Sequence, residues 1–122
     1  MPKTHVKIMI ADDHAGFRQM VKTVLAPLAA DFLECKDGQE TLAEYGRFLP
    51  DIVLMDIAME GLDGLKATAQ LKAIFPDARI LMLTQYDDPD LREAAQKAGA
   101  YAYVLKEDLF QLKAVITASL GS

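Results

Sequence analysis

The sequence predicts an α/β fold in which five parallel strands alternate with five helices. Short apolar runs and helical stripes follow each other five times along its 122 residues, and this alternation is typical of parallel strands joined by helical crossovers. The run Ile52–Met55 is apolar without a break and lies between Asp51 and Asp56. A short unbroken run of this kind indicates a strand that helices cover on both faces.

The first half of the chain is predicted to contain two strands and two helices. The strands are expected over Val6–Ala11 and, with a weaker pattern, over Phe32–Cys35. Between them, apolar residues at helical spacing predict one buried stripe, formed by Phe17, Met20, Val21, Val24, Leu25 and Leu28. Asp37 is expected to cap the second helix, with Glu40 three residues later as in a capping box. The buried side of that helix is predicted to hold Leu42, Tyr45 and Leu49.

The second half repeats the alternation around the third strand, which is predicted over Ile52–Asp56. The loop after this strand contains Gly61 and Gly64, which are expected to allow positive φ angles. The fourth helix is predicted to begin at Asp88–Pro89, an N-cap followed by proline at the first helical position, and to end at Gly99. The remaining elements are a helix over 65–75, a strand over 79–84, a strand over 101–105 and a helix over 108–120.

Five units of this size suit a flavodoxin-like three-layer sandwich with a parallel sheet of order 2-1-3-4-5. In that order strands 1 and 3 are neighbours, and ligands bind at the carboxyl ends of the strands there. Asp12 and Asp13 follow the first strand, and Asp56 ends the third, so the three carboxylates are expected to converge. Thr84 and Lys106 end the fourth and fifth strands and are expected to line the other side of the crevice.

Three carboxylates in one crevice favour a site that binds a metal ion together with a phosphoryl group. Carboxylates brought together repel one another unless a cation neutralises them, and Mg²⁺ takes oxygen ligands from one or two carboxylates, waters and a phosphate. Asp56 is then expected to act as a carboxylate nucleophile that forms an aspartyl-phosphate. Lys106 offers a positive charge for a phosphoryl oxygen, and Thr84 offers a hydroxyl donor.

Each of these residues also has a plainer interpretation when it is taken alone. Asp12 and Asp13 suit the cap of the first helix, and Asp56 suits a turn. Thr84 suits the end of a strand, and Lys106 suits a solvated surface charge. The hypothesis of a site depends on their coincidence, because every strand that borders the predicted crevice ends in a residue type that phosphoryl chemistry uses.

Length, charge and cysteine content restrict the function further. The 122 residues suit one domain over 1–122, with no output domain in addition. The formal net charge is −5 and the 13 Lys and Arg residues form no cluster, so direct binding of this chain to nucleic acid is not expected. No apolar run approaches the ~18 residues of a membrane span. The single cysteine, Cys35, fits a reducing compartment, and we expect a cytoplasmic protein.

The sequence resembles the receiver domain of two-component response regulators over nearly its whole length. Four motifs carry the resemblance: Ile10–His14, Val53–Ile57 with Gly61–Gly64, Leu83–Thr84 and Gly99–Lys106. The resemblance implies that Asp56 accepts a phosphoryl group from a sensor histidine kinase. It also implies that Mg²⁺ is held by Asp12 or Asp13, by Asp56 and by the backbone carbonyl of Ala58.

The resemblance further implies a conformational switch. Thr84 and Lys106 would contact the phosphoryl group, and Tyr103 matches the family's aromatic switch position, which turns inward as the threonine moves. The plainer interpretation of Tyr103 is a half-buried strand tyrosine. The face formed by the fourth helix, the fifth strand and the fifth helix would then change its affinity for a partner. Whether the chain forms a homodimer is left open.

The stretch Leu83–Asp90, with Lys106–Glu107, is most similar to the subclass that is usually fused to a C-terminal LuxR-type helix-turn-helix domain. The chain is therefore interpreted as either a stand-alone receiver or a receiver from a longer transcription factor. Three residues depart from the family's pattern: Glu60 stands where many relatives have proline, Glu107 replaces the proline that often follows the lysine, and Gln85 is bulkier than the usual residue after the threonine. Gln85 is expected to restrict access to Asp56 and to slow loss of the phosphoryl group.

Three other functions on this fold are less well supported. A phosphatase of the Asp-x-Asp class needs a second Asp as general acid, and Ala58 occupies that position. A flavin-binding electron carrier needs a phosphate loop rich in hydroxyls and glycines after the first strand, where Asp12 and Asp13 would repel a phosphate. A receiver that only binds partners would not need the complete set of polar residues at the strand ends, Asp12, Asp13, Asp56, Thr84 and Lys106. The chain is therefore not expected to turn over an external substrate as an enzyme does.

Overall fold

The computed structural model describes residues 5–28 and 30–120, and it confirms the α/β fold. One parallel sheet contains β1 (Val6–Ala11), β2 (Ala30–Cys35), β3 (Ile52–Met55), β4 (Ile80–Thr84) and β5 (Ala102–Leu105). The helices are α1 (Ala15–Leu25), α2 (Gly38–Phe48), α3 (Gly64–Ile74), α4 (Pro89–Ala98) and α5 (Leu112–Leu120). The strand order is β2-β1-β3-β4-β5, which is the predicted flavodoxin-like order. Among the described residues, no helix is long and apolar enough to cross a membrane.

Two apolar cores lie on opposite faces of the sheet and explain why β3 is apolar at every position. Successive side chains of a strand point to opposite faces. Val53 and Met55 therefore pack with residues of α2, α3 and α4, while Ile52 and Leu54 pack with residues of α1 and α5. Every residue of β3 and of β4 is buried. Cys35 is buried in the first of these cores.

Side-chain caps begin three of the helices, and two of these caps were predicted. Asp37 accepts a hydrogen bond from the amide of Glu40 at 2.8 Å, and Asp88 accepts one from the amide of Asp90 at 2.8 Å. Gly99 ends α4 with a φ of 111°, a conformation that favours glycine. The predicted helix starts and stops are therefore correct where polar caps and glycine specify them.

Two residues that were predicted to be buried are exposed. Leu49 is 61% exposed, because α2 ends at Phe48 and Leu49 adopts a left-handed conformation with a φ of 49°. Its amide donates to the carbonyl of Tyr45, and Phe48 packs against the core in its place. Met20 is 56% exposed, because it lies at the edge of the α1 stripe, whose buried centre is Val21 and Leu25.

The last helix begins later than predicted. The segment Lys106–Gln111 is a 3₁₀ helix with a non-helical Asp108, and α5 starts only at Leu112. Residues three apart in a 3₁₀ helix lie on one side, and Leu109 and Leu112 are both buried, as is Ile116 of α5.

The two glycines of the loop after β3 serve different purposes. Gly61 has a positive φ of 77°, as expected, but Gly64 does not adopt a positive φ, so the prediction for Gly64 is wrong. A Cβ atom on Gly64 would overlap the carbonyl group of Asp56. Glycine at this position therefore lets the start of α3 approach the end of β3.

Gly64→Ala is expected to lower the free energy of unfolding by about 1–3 kcal/mol, because the methyl group would displace the backbone of Asp56. Gly16→Ala is a matched control, since a Cβ atom there meets nothing within 4 Å. Its substitution within α1 should leave stability unchanged or raise it by up to about 1 kcal/mol. Urea unfolding of both variants measures the difference, and equal stabilities would contradict the close approach.

Candidate functional site

The sheet register brings the residues after β1 and β3 together. Ala11 pairs with Met55 at the ends of these adjacent strands, and the amide of Asp56 donates to the carbonyl of Ala11 at 2.9 Å. Asp12 and Asp56 follow these paired residues and are 2% and 4% exposed. The predicted convergence of Asp12 and Asp56 is therefore present, and both carboxyl groups are largely removed from water.

Four neighbouring side chains form an acidic cluster at this end of the sheet. One ligand atom from each of Asp12, Asp13, His14 and Asp56 lies within 4.8 Å of the others. Asp13 and His14 are exposed, and Nδ1 of His14 lies 2.8 Å from a carboxylate oxygen of Asp13. Sequence reasoning assigned His14 no role, because its position after the acidic pair does not reveal where the ring points.

Lys106 places its ammonium group among the carboxylates. Its Nζ lies 2.7 Å from Oδ2 of Asp12 and 3.5 Å from Oδ2 of Asp56. The same atom lies over the ring of Phe17, 4.3 Å from its centroid, an arrangement that attracts a cation to the ring face. Lys106 is therefore not a solvated surface charge, and Phe17 of α1 is a neighbour of the site that the helical pattern marked only as core.

The environment of Asp56 favours the protonated form of its carboxyl group. The pKa of Asp56 is raised to about 6, because the upward effects of burial and of the Asp12 charge exceed the downward effect of the nearby Lys106. The amide of Ala58 donates a long hydrogen bond of 3.4 Å to Oδ1 of Asp56. The ammonium of Lys106 therefore only partly offsets the cost of keeping a charged carboxylate in this position.

A cavity of about 230 Å³ opens beside Asp56 and is lined by His14, Asp56, Ala58, Gln85, Tyr86 and Lys106. Gln85 thus lines the same cavity as Asp56, and its effect on access to Asp56 stays a prediction. The lining brings the ammonium group of Lys106 beside the carboxylate of Asp56, and the ammonium is the group that attracts a phosphoryl oxygen.

Thr84 and Tyr103 are linked through the backbone of Tyr86. Thr84 is fully buried at the end of β4, and its Oγ1 accepts a hydrogen bond from the amide of Tyr86 at 3.3 Å. The hydroxyl of Tyr103 donates to the carbonyl of Tyr86 at 2.6 Å, and the guanidinium of Arg92 stacks on the Tyr103 ring at 4.5 Å. Tyr103 is half-buried, and Tyr86 is a connecting residue to which sequence reasoning assigned no role.

Comparison with known proteins identifies similar sequences over most of the chain. A family model described as the response regulator receiver domain matches residues 8–117. The transcriptional regulatory protein DegU of Brevibacillus brevis is 36% identical over 104 residues, which are 84% of this chain and 44% of DegU. LiaR of Bacillus subtilis is 34% identical over 103 residues, 83% of this chain and 49% of LiaR. The chain spans about half the length of these curated relatives.

Solved structures share the fold at similar identity. A two-component response regulator of the LuxR family from Aurantimonas sp. SI85-9A1 superposes with a TM-score of 0.90 and 31% identity, covering 96% of this chain and 86% of that one. The receiver domain of the putative response regulator NarL from Mycobacterium tuberculosis gives a TM-score of 0.85 and 28% identity, covering 98% and 100%.

Asp56→Asn is expected to raise the free energy of unfolding of the metal-free protein above pH 6. The folded-state pKa of about 6 lies above that of an unfolded Asp, near 3.9. The resulting stabilisation is complete below about pH 4 and is lost as the pH rises through 6. The neutral amide of Asn avoids that loss. The free energy of unfolding of Asp56→Asn should therefore exceed that of the parent by an amount that grows between pH 4 and pH 8 to on the order of 2–3 kcal/mol.

Urea unfolding in EDTA at the two pH values measures this difference. Asp77→Asn provides the control, because Asp77 is an exposed carboxylate outside the cluster. An advantage of Asp56→Asn that is the same at pH 4 and pH 8 would contradict the raised pKa.

Proposed function

Because the chain belongs to the response regulator receiver domain family, we propose that Asp56 is its phosphoryl acceptor. The observation that carries this proposal is that Asp56, although almost fully buried, lines the cavity next to Lys106. One oxygen of its carboxylate bonds to the phosphorus of a phosphohistidine as the phosphorus–nitrogen bond breaks and the imidazole leaves. The phosphoryl donor in this proposal is a sensor histidine kinase.

The acidic cluster fits Mg²⁺. Asp12, Asp13 and Asp56 supply the carboxylate oxygens that this ion prefers, and the backbone carbonyl of Ala58 is proposed as a further ligand. The spacing of the ligand atoms, all within 4.8 Å, supports the fit. The raised pKa of Asp56 also supports it, because burial and the neighbouring Asp12 leave a negative charge that Lys106 does not fully offset. When bound, Mg²⁺ neutralises charge on the carboxylates and on the phosphoryl oxygens.

Lys106 and Thr84 are proposed to bind the oxygens of the phosphoryl group. The ammonium of Lys106 already lies between Asp12 and Asp56, and its flexible side chain lets it move to a phosphoryl oxygen. The hydroxyl of Thr84 accepts one hydrogen bond and retains its proton for donation. Phosphoryl transfer depends mainly on positioning and charge stabilisation, which these two groups provide.

We propose that Tyr86 transmits the change from Thr84 to Tyr103. A phosphoryl group adds about −1.5 to −2 charge and draws the Thr84 hydroxyl toward it, which removes the acceptor of the Tyr86 amide. Movement of Tyr86 then withdraws its carbonyl from the hydroxyl of Tyr103, which is freed to turn inward. The face formed by α4, β5 and α5 would thereby present a different surface to a partner.

The proposed output is control of transcription. The relatives DegU and LiaR are named transcriptional regulatory proteins, which supports a role in which this domain controls a DNA-binding partner or domain. Ala58 occupies the position where a hydrolase of the Asp-x-Asp class has its general acid. The domain is therefore proposed to catalyse only its own phosphorylation and dephosphorylation.

Incubation with acetyl phosphate and Mg²⁺ is expected to add one phosphoryl group to the parent protein, as measured by intact mass. The gain should disappear in Asp56→Asn, because the amide is not a nucleophile for phosphorus. It should also disappear when EDTA removes the metal. Asp77→Asn, which neutralises an exposed carboxylate, should be phosphorylated like the parent.

A Mg²⁺-dependent gain that persists in Asp56→Asn would place the acceptor at another residue. The absence of any gain in a protein that binds Mg²⁺ would show that the site does not use this small donor. Purified histidine kinase would then replace acetyl phosphate, and failure with both donors would contradict the proposed acceptor role.

A further inference from the structure

Arg18 of α1 connects the acidic cluster to the edge of the sheet. Its Nη1 donates to the backbone carbonyl of Asp12 at 2.6 Å, and its Nε donates to Oε1 of Glu34, near the end of β2, at 2.9 Å. The Arg18 side chain is only 16% exposed. A planar guanidinium held at two of its donors has little freedom to rotate, so the Asp12 carbonyl has a fixed partner.

Each polar group of Asp12 is held by a different part of the molecule. Its amide donates to the carbonyl of Cys35 at 3.0 Å, and its Oδ1 accepts from the amide of His14 at 2.9 Å. Its Oδ2 contacts Lys106, and its carbonyl accepts from Arg18. Only the last of these contacts fixes the peptide that joins Asp12 to Asp13, and that peptide determines how the two carboxylates are oriented relative to each other.

We propose that Arg18 is a positioning residue for the divalent-cation site, and that Glu34 holds its guanidinium in place. This inference rests on the proposed function, because it takes the carboxylates of Asp12 and Asp13 to be ligands of Mg²⁺. Residues that orient metal ligands without touching the metal commonly change metal affinity 10–100-fold when they are replaced. Arg18 would act in this way through the backbone of Asp12.

The direction in which Mg²⁺ affinity changes when Arg18 is replaced distinguishes a positioning role from a purely electrostatic one. A positive charge near the cluster opposes the binding of a cation, so its removal alone should make Mg²⁺ bind more tightly. Loss of the bond to the Asp12 carbonyl should instead make Mg²⁺ bind more weakly, because the ligands must be reoriented on binding. The two effects therefore predict opposite changes for one substitution.

Lys22 offers a matched control on the same helix face. It lies four residues after Arg18, so the two side chains are neighbours, and its Nζ contacts Oε2 of the same Glu34 at 3.1 Å. Among residues 5–28 and 30–120, the ammonium of Lys22 forms an ion pair with Glu34 and none with Asp12. Lys22→Gln thus removes the same unit of charge without removing the contact to the Asp12 carbonyl.

Titration of the metal-free protein with Mg²⁺, followed by calorimetry, tests the inference. Arg18→Gln should raise the Kd for Mg²⁺ by about 10-fold or more, whereas Lys22→Gln should leave it unchanged or lower it. Thermal unfolding in EDTA establishes that each variant is folded at the titration temperature. If Arg18→Gln does not fold, Arg18→Lys keeps the positive charge but lacks the planar guanidinium that holds the Asp12 carbonyl and Glu34 together, and it should also raise the Kd.

The Mg²⁺ dependence of phosphorylation by acetyl phosphate is a second measurement, and a loss of stability alone would not change it. The Mg²⁺ concentration for half-maximal rate should rise in Arg18→Gln, while the rate at saturating Mg²⁺ stays close to that of the parent. A Kd in Arg18→Gln that is equal to or lower than the parent's would overturn the role of Arg18 and leave the proposed function intact. A parent protein that does not bind Mg²⁺ would overturn both.

Discussion

The properties of the site follow from three neighbouring carboxylates whose negative charge is only partly neutralised. Asp12 and Asp56 are almost fully buried, Asp13 lies beside them, and the ammonium of Lys106 contacts both buried groups. Burial therefore outweighs the attraction of Lys106 and raises the pKa of Asp56. A site in this condition favours an added cation, and with that cation it favours an anion next to Asp56.

The fold creates this arrangement because of its topology. β1 and β3 are adjacent in the sheet although β2 lies between them in the chain, so the residues that follow them meet at one edge. Gly64 then lets α3 begin against the backbone of Asp56, and the 3₁₀ helix after β5 begins at Lys106, which lines the cavity. The elements that fix the core thus also fix the distances within the site.

The sequence predicts most of this fold and part of the site. Strand ends are marked by a change from apolar to polar residues, so the positions of Asp12, Asp56 and Lys106 follow from the pattern and the strand order. Arg18 could not be identified in this way, because an arginine on an amphipathic helix is usually solvated. The exposure of Leu49 was missed because it depends on a left-handed helix end, and the constraint on Gly64 because it depends on a contact between elements.

The pH titration of the Asp56 carboxyl carbon, followed by NMR in the metal-free parent and in Lys106→Gln, measures whether burial and Lys106 control the charge of Asp56. We expect the pKa of Asp56 to lie near 6 in the parent and to be higher in the variant, because the ammonium that favours the charged form is lost. A pKa near 4 in both proteins would contradict the account, since Asp56 would then behave as a solvated carboxylate that neither burial nor Lys106 affects.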